Sequence, residues 1–152
     1  LRAPEAFAEV AFVVRQTARH PIAALGDGLA FRNSLLAGFG SPRWPAAALV
    51  ALLNSAVVRW LHHHRRRDAR ERVLPQVKIG HLRGVPEPPD VTPEAKAALA
   101  ALGHRVAGAA PGSEARAAAR TELDAWVCDR YRLDERERSL VLAWHVSHAP
   151  AA

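Results

Sequence analysis

The stretch from Pro45 to Arg67, PAAALVALLNSAVVRWLHHHRRR, carries the strongest periodic pattern in this chain of 152 residues. Its apolar residues recur at helical spacing and form a single stripe, made of Leu49, Leu52, Leu53, Ala56, Val57, Trp60 and Leu61. Pro45 suits the first turn of a helix, and a cationic end complements the negative end of the helix dipole. The stretch therefore predicts one long helix that packs on a core.

The residues before this helix have the composition of β-strands. Val10, Phe12 and Val14 alternate within residues 7–15 and predict one apolar strand face. Two further apolar runs, residues 22–25 and 29–36, flank Gly26-Asp27-Gly28. Because glycine supplies the positive φ of a tight connection, these two runs predict a β-hairpin.

Helical patterns dominate the second half of the chain. Residues 73–79 predict one more short strand, His81–Arg83 a turn, and the proline-rich residues 85–93 a stiff linker. Three helices then begin near Thr92, Ser113 and Asp134. We expect an α+β fold, with a small N-terminal β-hairpin or sheet and one long packed helix, followed by a C-terminal helical segment. Residues 1–90 and 91–152 are expected to belong to the same compact unit.

The positive charge of the chain is unevenly distributed. Residues 1–90 contain 13 basic and 7 acidic residues, whereas residues 91–152 contain 8 of each, so the first part carries all of the net charge of +6. A localised basic region is typical of a surface that binds a polyanion. Arginine makes up 19 of the 21 basic residues, which a GC-rich coding bias also explains, although such a bias acts evenly along a chain.

No sequence motif of a catalytic centre is present. The chain lacks the glycine-rich phosphate loops and the nucleophile elbow of hydrolases. The single cysteine, Cys128, excludes an intramolecular disulfide and a cysteine-cluster zinc site, and its helical pattern predicts a buried thiol. The His62–His64 run lacks the i, i+4 spacing of a metal pair, and we interpret it as a solvated, cationic helix end. We expect no metal and no cofactor in this chain.

The composition also bears on location. No run of about 18 apolar residues predicts a membrane span, and no signal-peptide pattern opens the chain. Low cysteine content suits a reducing compartment, so we expect a cytoplasmic protein. The chain begins at Leu1 and contains no methionine, which suggests a piece of a longer polypeptide.

Polar residues at the predicted strand ends are candidates for contacts with DNA. Arginine and lysine bind phosphates, arginine also recognises guanine and glutamine adenine, and threonine suits a phosphate or a thymine methyl group. An ordinary polar loop is the alternative interpretation. The candidate residues are Arg15, Gln16, Thr17 and Arg19 after the first strand, Arg32 and Asn33 in the hairpin, and Lys78, His81 and Arg83 farther along.

Several segments together resemble a known family, the TaqI-like C-terminal specificity (target-recognition) domains of restriction–modification N6-adenine DNA methyltransferases. The similar segments are Val14-Arg15-Gln16-Thr17, Leu52-Leu53-Asn54-Ser55, Pro75-Gln76-Val77 with Leu82, and Val85-Pro86 with Pro88. The tail from Val127 to Glu135, with Glu137, resembles the closing segment of the family. Each motif is weak alone, but their order covers nearly the whole chain.

The resemblance implies a module without catalytic residues that binds double-stranded DNA and presents it to a methyltransferase domain of the same polypeptide. That parent protein would use S-adenosylmethionine, with or without a fused nuclease, whereas this chain would need no cofactor. The resemblance makes Arg15, Gln16, Arg19, Arg32 and Lys78 the candidates for reading bases. It also suggests a structural role for Asn54, bonded to loop backbone. The predicted hairpin is shorter than in many members of the family, which weakens the expectation of base reading more than that of phosphate binding.

Two other functions fit parts of the sequence. Trp44, Trp60, Trp126 and Trp144 are candidates for anchoring a partner protein, although tryptophans belong more often to a core. A histidine-based nuclease using His62–His64 is the less favoured alternative.

Overall fold

The computed structural model describes residues 8–26, 34–70, 73–89 and 91–148. A small antiparallel sheet is followed by helices, which confirms the predicted α+β class. The strands are Phe12–Arg15 (β1), Ala23–Leu25 (β2) and Leu35–Gly38 (β3). The α-helices are Ala46–Asn54 (α1), Ala56–Arg65 (α2), Ile79–Arg83 (α3), Pro93–Gly108 (α4), Glu114–Arg130 (α5) and Glu135–His148 (α6).

Strand β1 lies in the middle of the sheet, in the order β2-β1-β3. Val13 pairs with Ala24 of β2 on one side and with Ala37 of β3 on the other. The predicted hairpin between residues 22–25 and 29–36 is therefore wrong in its pairing, because both runs pair with β1. The physical reason is burial: three consecutive β1 residues, Phe12–Val14, are buried, as suits a central strand. The predicted glycine turn falls largely in residues 27–33, outside the described residues.

Gly38 allows the ring of Phe12 to cross the sheet. A Cβ atom at position 38 would overlap the ring atoms of Phe12, its partner in the register. Glycine at such a position commonly marks a close approach within a strand pair. The buried Phe12 ring is thereby held against β3.

The predicted long helix is broken at Ser55 into α1 and α2. Ser55 has extended backbone angles, φ −65° and ψ 155°, and its hydroxyl donates to the carbonyl of Leu52 at 2.7 Å and accepts from the amide of Val58 at 3.3 Å. Serine side chains compete with the helical backbone in this way and favour caps. The apolar stripe continues across the break, which is why periodicity alone did not reveal it.

Asn54 ties the same break to the sheet. Its amide nitrogen donates to the carbonyl of Ala23 at 2.8 Å, and its amide oxygen accepts from the backbone N–H of Ala23 at 3.0 Å. The backbone of edge strand β2 thus finds its partners on this helix. The interpretation of Asn54 as a structural residue that bonds backbone is confirmed, but the backbone belongs to strand β2 and not to a loop.

The strand predicted for residues 73–79 and the turn predicted for 81–83 are both wrong. Residues 73–78 form only an isolated bridge, between Gln76 and Thr17, and Ile79–Arg83 is the short helix α3. Pro75 has no N–H to donate, and the amide of Gln76 donates to the carbonyl of Asp68 at 3.2 Å instead of to a strand.

The helix starts predicted for the second half are confirmed. The hydroxyls of Thr92 and Ser113 cap α4 and α5, accepting from Ala95 and Arg116. Asp134 and Glu137 form a reciprocal capping box at the start of α6.

Helices from both parts of the chain share one core. Gly103 of α4 lies against α1, since a Cβ there would stand 3.0 Å from the carbonyl oxygen of Ala47. Leu99, Leu123 and Val127 are fully buried in the same cluster as Phe12. Cys128 is buried as predicted, and among the described residues no helix is long and apolar enough to cross a membrane.

Candidate nucleic-acid interface

The chain brings the segment after β1 against the segment before α3. The amide of Val77 donates to the carbonyl of Gln16 at 2.8 Å, and Thr17 forms the isolated bridge with Gln76. Val77 is fully buried, so its apolar side chain anchors the contact between these two segments to the core. Two of the polar segments predicted from sequence, 15–19 and 78–83, are therefore neighbours in space.

His62 of α2 is the residue that holds both segments. Its Nδ1 lies 3.3 Å from the carbonyl oxygen of Arg19, and its Nε2 lies 3.3 Å from Nδ1 of His81. A carbonyl can only accept, so Nδ1 of His62 donates to Arg19. Nε2 of the neutral ring then has no hydrogen to donate to His81, and the two rings meet by edge-to-face packing, with 5.3 Å between their centroids. His62 is only 5% exposed, and its ring is packed between the Arg19 loop and α3.

His81 continues the network to Asp68. Its Nδ1 accepts from the backbone N–H of Lys78 at 3.2 Å, and its Nε2 faces Oδ2 of Asp68 at 3.3 Å. The same carboxylate oxygen pairs with Nζ of Lys78 at 3.0 Å. With a side chain only 11% exposed, His81 positions the start of α3 and presents little surface to a ligand.

The histidines at the end of α2 are not the solvated, cationic group expected from the sequence. Burial, with the neighbouring charges of His81 and Arg66, lowers the pKa of His62 to about 4, so the ring is neutral at neutral pH. Burial also lowers the pKa of His63, whose ring contacts Trp144 of α6 with 5.1 Å between centroids. Only His64 is exposed. The interpretation fails because α6 and the Arg19 loop cover this helix end.

A set of exposed cations surrounds the network, and we call it the basic rim. None of these side chains forms an ion pair with another described residue. The members are Arg15, Arg19, Arg65, Arg70 and Arg83. Burial, His64 and His148 lower the pKa of His63, and the charges of Arg70 and Arg19 add to that effect. Arg19 and Arg70 of the rim thus act on the same helix end.

Arg66 lines a small cleft within the rim. The cleft lies between His62, His81 and the Arg65-Arg66 pair and has a volume of about 10 Å³, which suits a single water molecule. A Cβ at Gly84 would lie 2.7 Å from an Nη atom of Arg66, so glycine leaves room for the guanidinium group there. The cleft is too small for an organic substrate.

Most of the residues predicted to contact DNA are exposed or half-buried in the structure. Arg15, Thr17, Arg19, Lys78 and Arg83 are exposed, while Gln16 and His81 are half-buried. Arg32 and Asn33 lie outside the described residues. Lys78 differs from the rim arginines because Asp68 neutralises it.

Asp68, His62 and Arg66 were not singled out as site residues by the sequence. The signal available was that Asp68 is the one acidic residue within the basic run 65–70. Hydrogen bonding from Lys78 is the main cause that holds the pKa of Asp68 below its usual value.

The second cleft, beside Leu25 and Gly26 on the sheet edge, is open, with a volume of about 460 Å³. Among the described residues that line it, Glu9 is the one ionisable side chain. Among the described residues, no group of three histidine, cysteine or carboxylate side chains could hold a metal ion.

Comparisons with protein-family models, curated proteins and solved structures found no match to this chain.

Proposed function

We propose that this chain is the DNA-binding target-recognition module of a restriction–modification methyltransferase. It contacts the phosphates of double-stranded DNA with the basic rim, and its neighbouring polar residues face base edges. The observation that carries the proposal is the junction of residues 15–19 with 76–83, because it gathers sequence-distant polar segments beside cations that have no carboxylate partner among the described residues.

The basic rim supplies the electrostatic part of the interaction. Exposed arginines without counter-ions attract phosphates and release condensed cations from DNA on binding. Their side chains are exposed, and binding does not require them to leave an ion pair with another described residue. Arg15, Arg19 and Arg83 of the rim are the phosphate contacts in this proposal.

Gln16 and Thr17 are the residues we assign to base edges. Their backbone is held by Val77 and Gln76, so the segment is fixed before DNA arrives. Pre-organised contacts lose less entropy on binding than a flexible loop does. Lys78 reaches DNA when it leaves Asp68, and Arg32 and Asn33 remain candidates from the sequence alone.

The chemistry of methylation belongs, in this proposal, to a separate domain of the same polypeptide. That domain would bind S-adenosylmethionine and act on a base flipped out of the duplex. The present chain would orient the DNA for it, with no catalytic residue of its own, in the cytoplasm.

A direct test is a titration of a fluorescent duplex of about 25 base pairs with this chain at several salt concentrations. Each neutralised phosphate lowers the slope of log K against log salt by about 0.9, so the three phosphate contacts of the proposal give a slope of about −2.7. An affinity that does not change with salt would refute the proposal. Gln16→Ala is expected to reduce the preference between duplex sequences while retaining the salt dependence.

A protein-docking function is the second candidate, and one observation favours it. Leu140 and Val146 of α6 are 58% and 76% exposed. The tryptophans suit this function less, since Trp44 is buried and the other three are half-buried. Sedimentation analysis that shows self-association, together with no DNA affinity, would support docking over DNA binding.

A further inference from the structure

A second charged cluster lies where α2, α5 and α6 meet the loop between β1 and β2. It contains two arginines, Arg59 of α2 and Arg120 of α5, and two histidines, His20 of the loop and His145 of α6. The charges of both arginines act on both histidines. Asp124 of α5 is the carboxylate that acts on Arg59 and Arg120.

The guanidinium group of Arg59 lacks adequate partners. Arg59 is 7% exposed, and its Nε is buried with no hydrogen-bond partner. Its Nη2 lies 3.4 Å from the side-chain oxygen of Asn54, which already accepts from Ala23 at 3.0 Å. Arg59 forms no ion pair within 4.0 Å with any carboxylate of the described chain.

Asp124 cannot supply the missing charge by itself. Its Oδ1 accepts from the backbone N–H of Ala56 at 2.7 Å, at the start of α2. Its Oδ2 lies 4.0 Å from Nε of Arg120. Among the described residues, one carboxylate that is already engaged therefore faces two arginines that are largely removed from water. Burial of a charged group without a counter-charge is costly, so the cluster favours an added anion.

The two histidines of the cluster are neutral, so they contribute polar nitrogens but no positive charge. Burial and the charge of Arg59 lower the pKa of both His20 and His145 to about 4. Nδ1 of His20 faces the carbonyl of Pro21 at 3.2 Å and carries the hydrogen, so Nε2 keeps its lone pair. A neutral imidazole of this kind can accept from a protonated oxyanion.

We propose that Arg59, Arg120, His20 and His145 form a binding site for a small phosphate-type oxyanion. His20, Arg120 and His145 are half-buried and the charge of Arg59 acts on both histidines, so these side chains are the ones that an approaching anion meets before the buried Arg59. A DNA duplex cannot reach a side chain that is 7% exposed, which separates this site from the basic rim. The ligand is therefore a small molecule, and inorganic phosphate is the appropriate probe.

The test is thermal unfolding and isothermal titration of the chain with sodium phosphate, against sodium chloride of equal ionic strength. We expect phosphate to raise the unfolding temperature beyond the effect of chloride, because a ligand that binds the folded state stabilises it. Arg120→Gln is expected to weaken phosphate binding by about tenfold or more. Arg136→Gln, which removes the same charge from an exposed position of α6, is expected to leave phosphate binding unchanged.

A second variant separates a loss of phosphate binding from a loss of folding. Arg120 also faces Asp124, so His145→Phe provides a change that leaves that pair intact, and it is expected to weaken phosphate binding as well. An effect of phosphate no greater than that of chloride would overturn the proposal, as would equal phosphate binding by Arg120→Gln and the unaltered chain. Competition between phosphate and a DNA duplex would also overturn it, since the site would then belong to the DNA surface.

Discussion

The two parts of the chain use arginine in different ways. In the helices after residue 91, Arg105 pairs with Glu122 at 2.7 Å, and Arg138 pairs with Asp129. Around the sheet and α2, the basic rim has no carboxylate partner within the described residues. Arg43, which pairs with Glu87 at 2.8 Å, is an exception in the first part. The rim arginines remain open to an external anion. Composition alone does not separate these two roles; the positions of the acidic residues do.

Asp124 joins the two parts, and its loss is expected to have the largest effect on stability. Asp124→Ala removes the acceptor for the Ala56 N–H and the nearest counter-charge for Arg120. Removing one partner of a buried charged group costs about 3 kcal/mol of unfolding free energy. Asp124→Asn keeps an acceptor oxygen and should lose less. Urea denaturation measures both, with Glu9→Ala, at an exposed carboxylate that forms no ion pair with another described residue, as the control. Equal stability of Asp124→Ala and the unaltered chain would show that the two parts do not depend on this contact.

Gly38 probes the packing of the sheet part alone. Gly38→Ala places a methyl group on the ring of Phe12, and overpacking of this kind costs about 2 kcal/mol. Gly108→Ala, at the end of α4 with no atom within 4 Å of the added carbon, is the matched control in the helical part. It should be neutral or stabilising by about 0.5 kcal/mol, since alanine favours a helix. Equal midpoints of urea denaturation for the two variants would contradict the placement of Phe12.

The buried histidines predict a smaller effect, which appears as a dependence of stability on pH. The pKa values of His20, His62 and His145 are lowered to about 4, whereas an unfolded histidine titrates near pH 6.5. Between these values the unfolded chain binds more protons than the folded chain, so stability is full above about pH 6.5 and falls as the pH drops toward 4. Urea midpoints measured from pH 7 to 4 check this.

Two substitutions show how much of the pH dependence of stability comes from a histidine in each part of the chain. His145→Phe, in the helical part, and His62→Phe, beside the rim, should each remove about one of the protons taken up on unfolding. A pH dependence that neither substitution changes would mean that other groups cause it.

The sequence predicted what local patterns determine. The helix starts at Thr92, Ser113 and Asp134 follow from side chains that cap the turn beside them. The role of Asn54 was also predictable, because an amide on the inner side of a helix needs partners.

The errors arose where distant residues decide the structure. Ser55 breaks the long helix with support from Asp124, which lies 68 positions after the next residue, Ala56, and accepts from its N–H. The burial of His62 depends on contacts with Arg19 and His81. No periodic pattern encodes such contacts. For the same reason, the adjacency of residues 16 and 77 in the candidate interface could not be predicted, although the basic character of that half of the chain could.

The central claim is that the basic rim, and not net charge, binds DNA. The most direct measurement compares two double variants with the same loss of charge, Arg15→Gln with Arg19→Gln and Arg105→Gln with Arg136→Gln, in duplex titrations at several salt concentrations. We predict that the first lowers DNA affinity and reduces the magnitude of the salt slope by about 1.8, the value for two phosphate contacts, while the second changes neither. Equal changes in the two variants, or none in the first, would contradict the account.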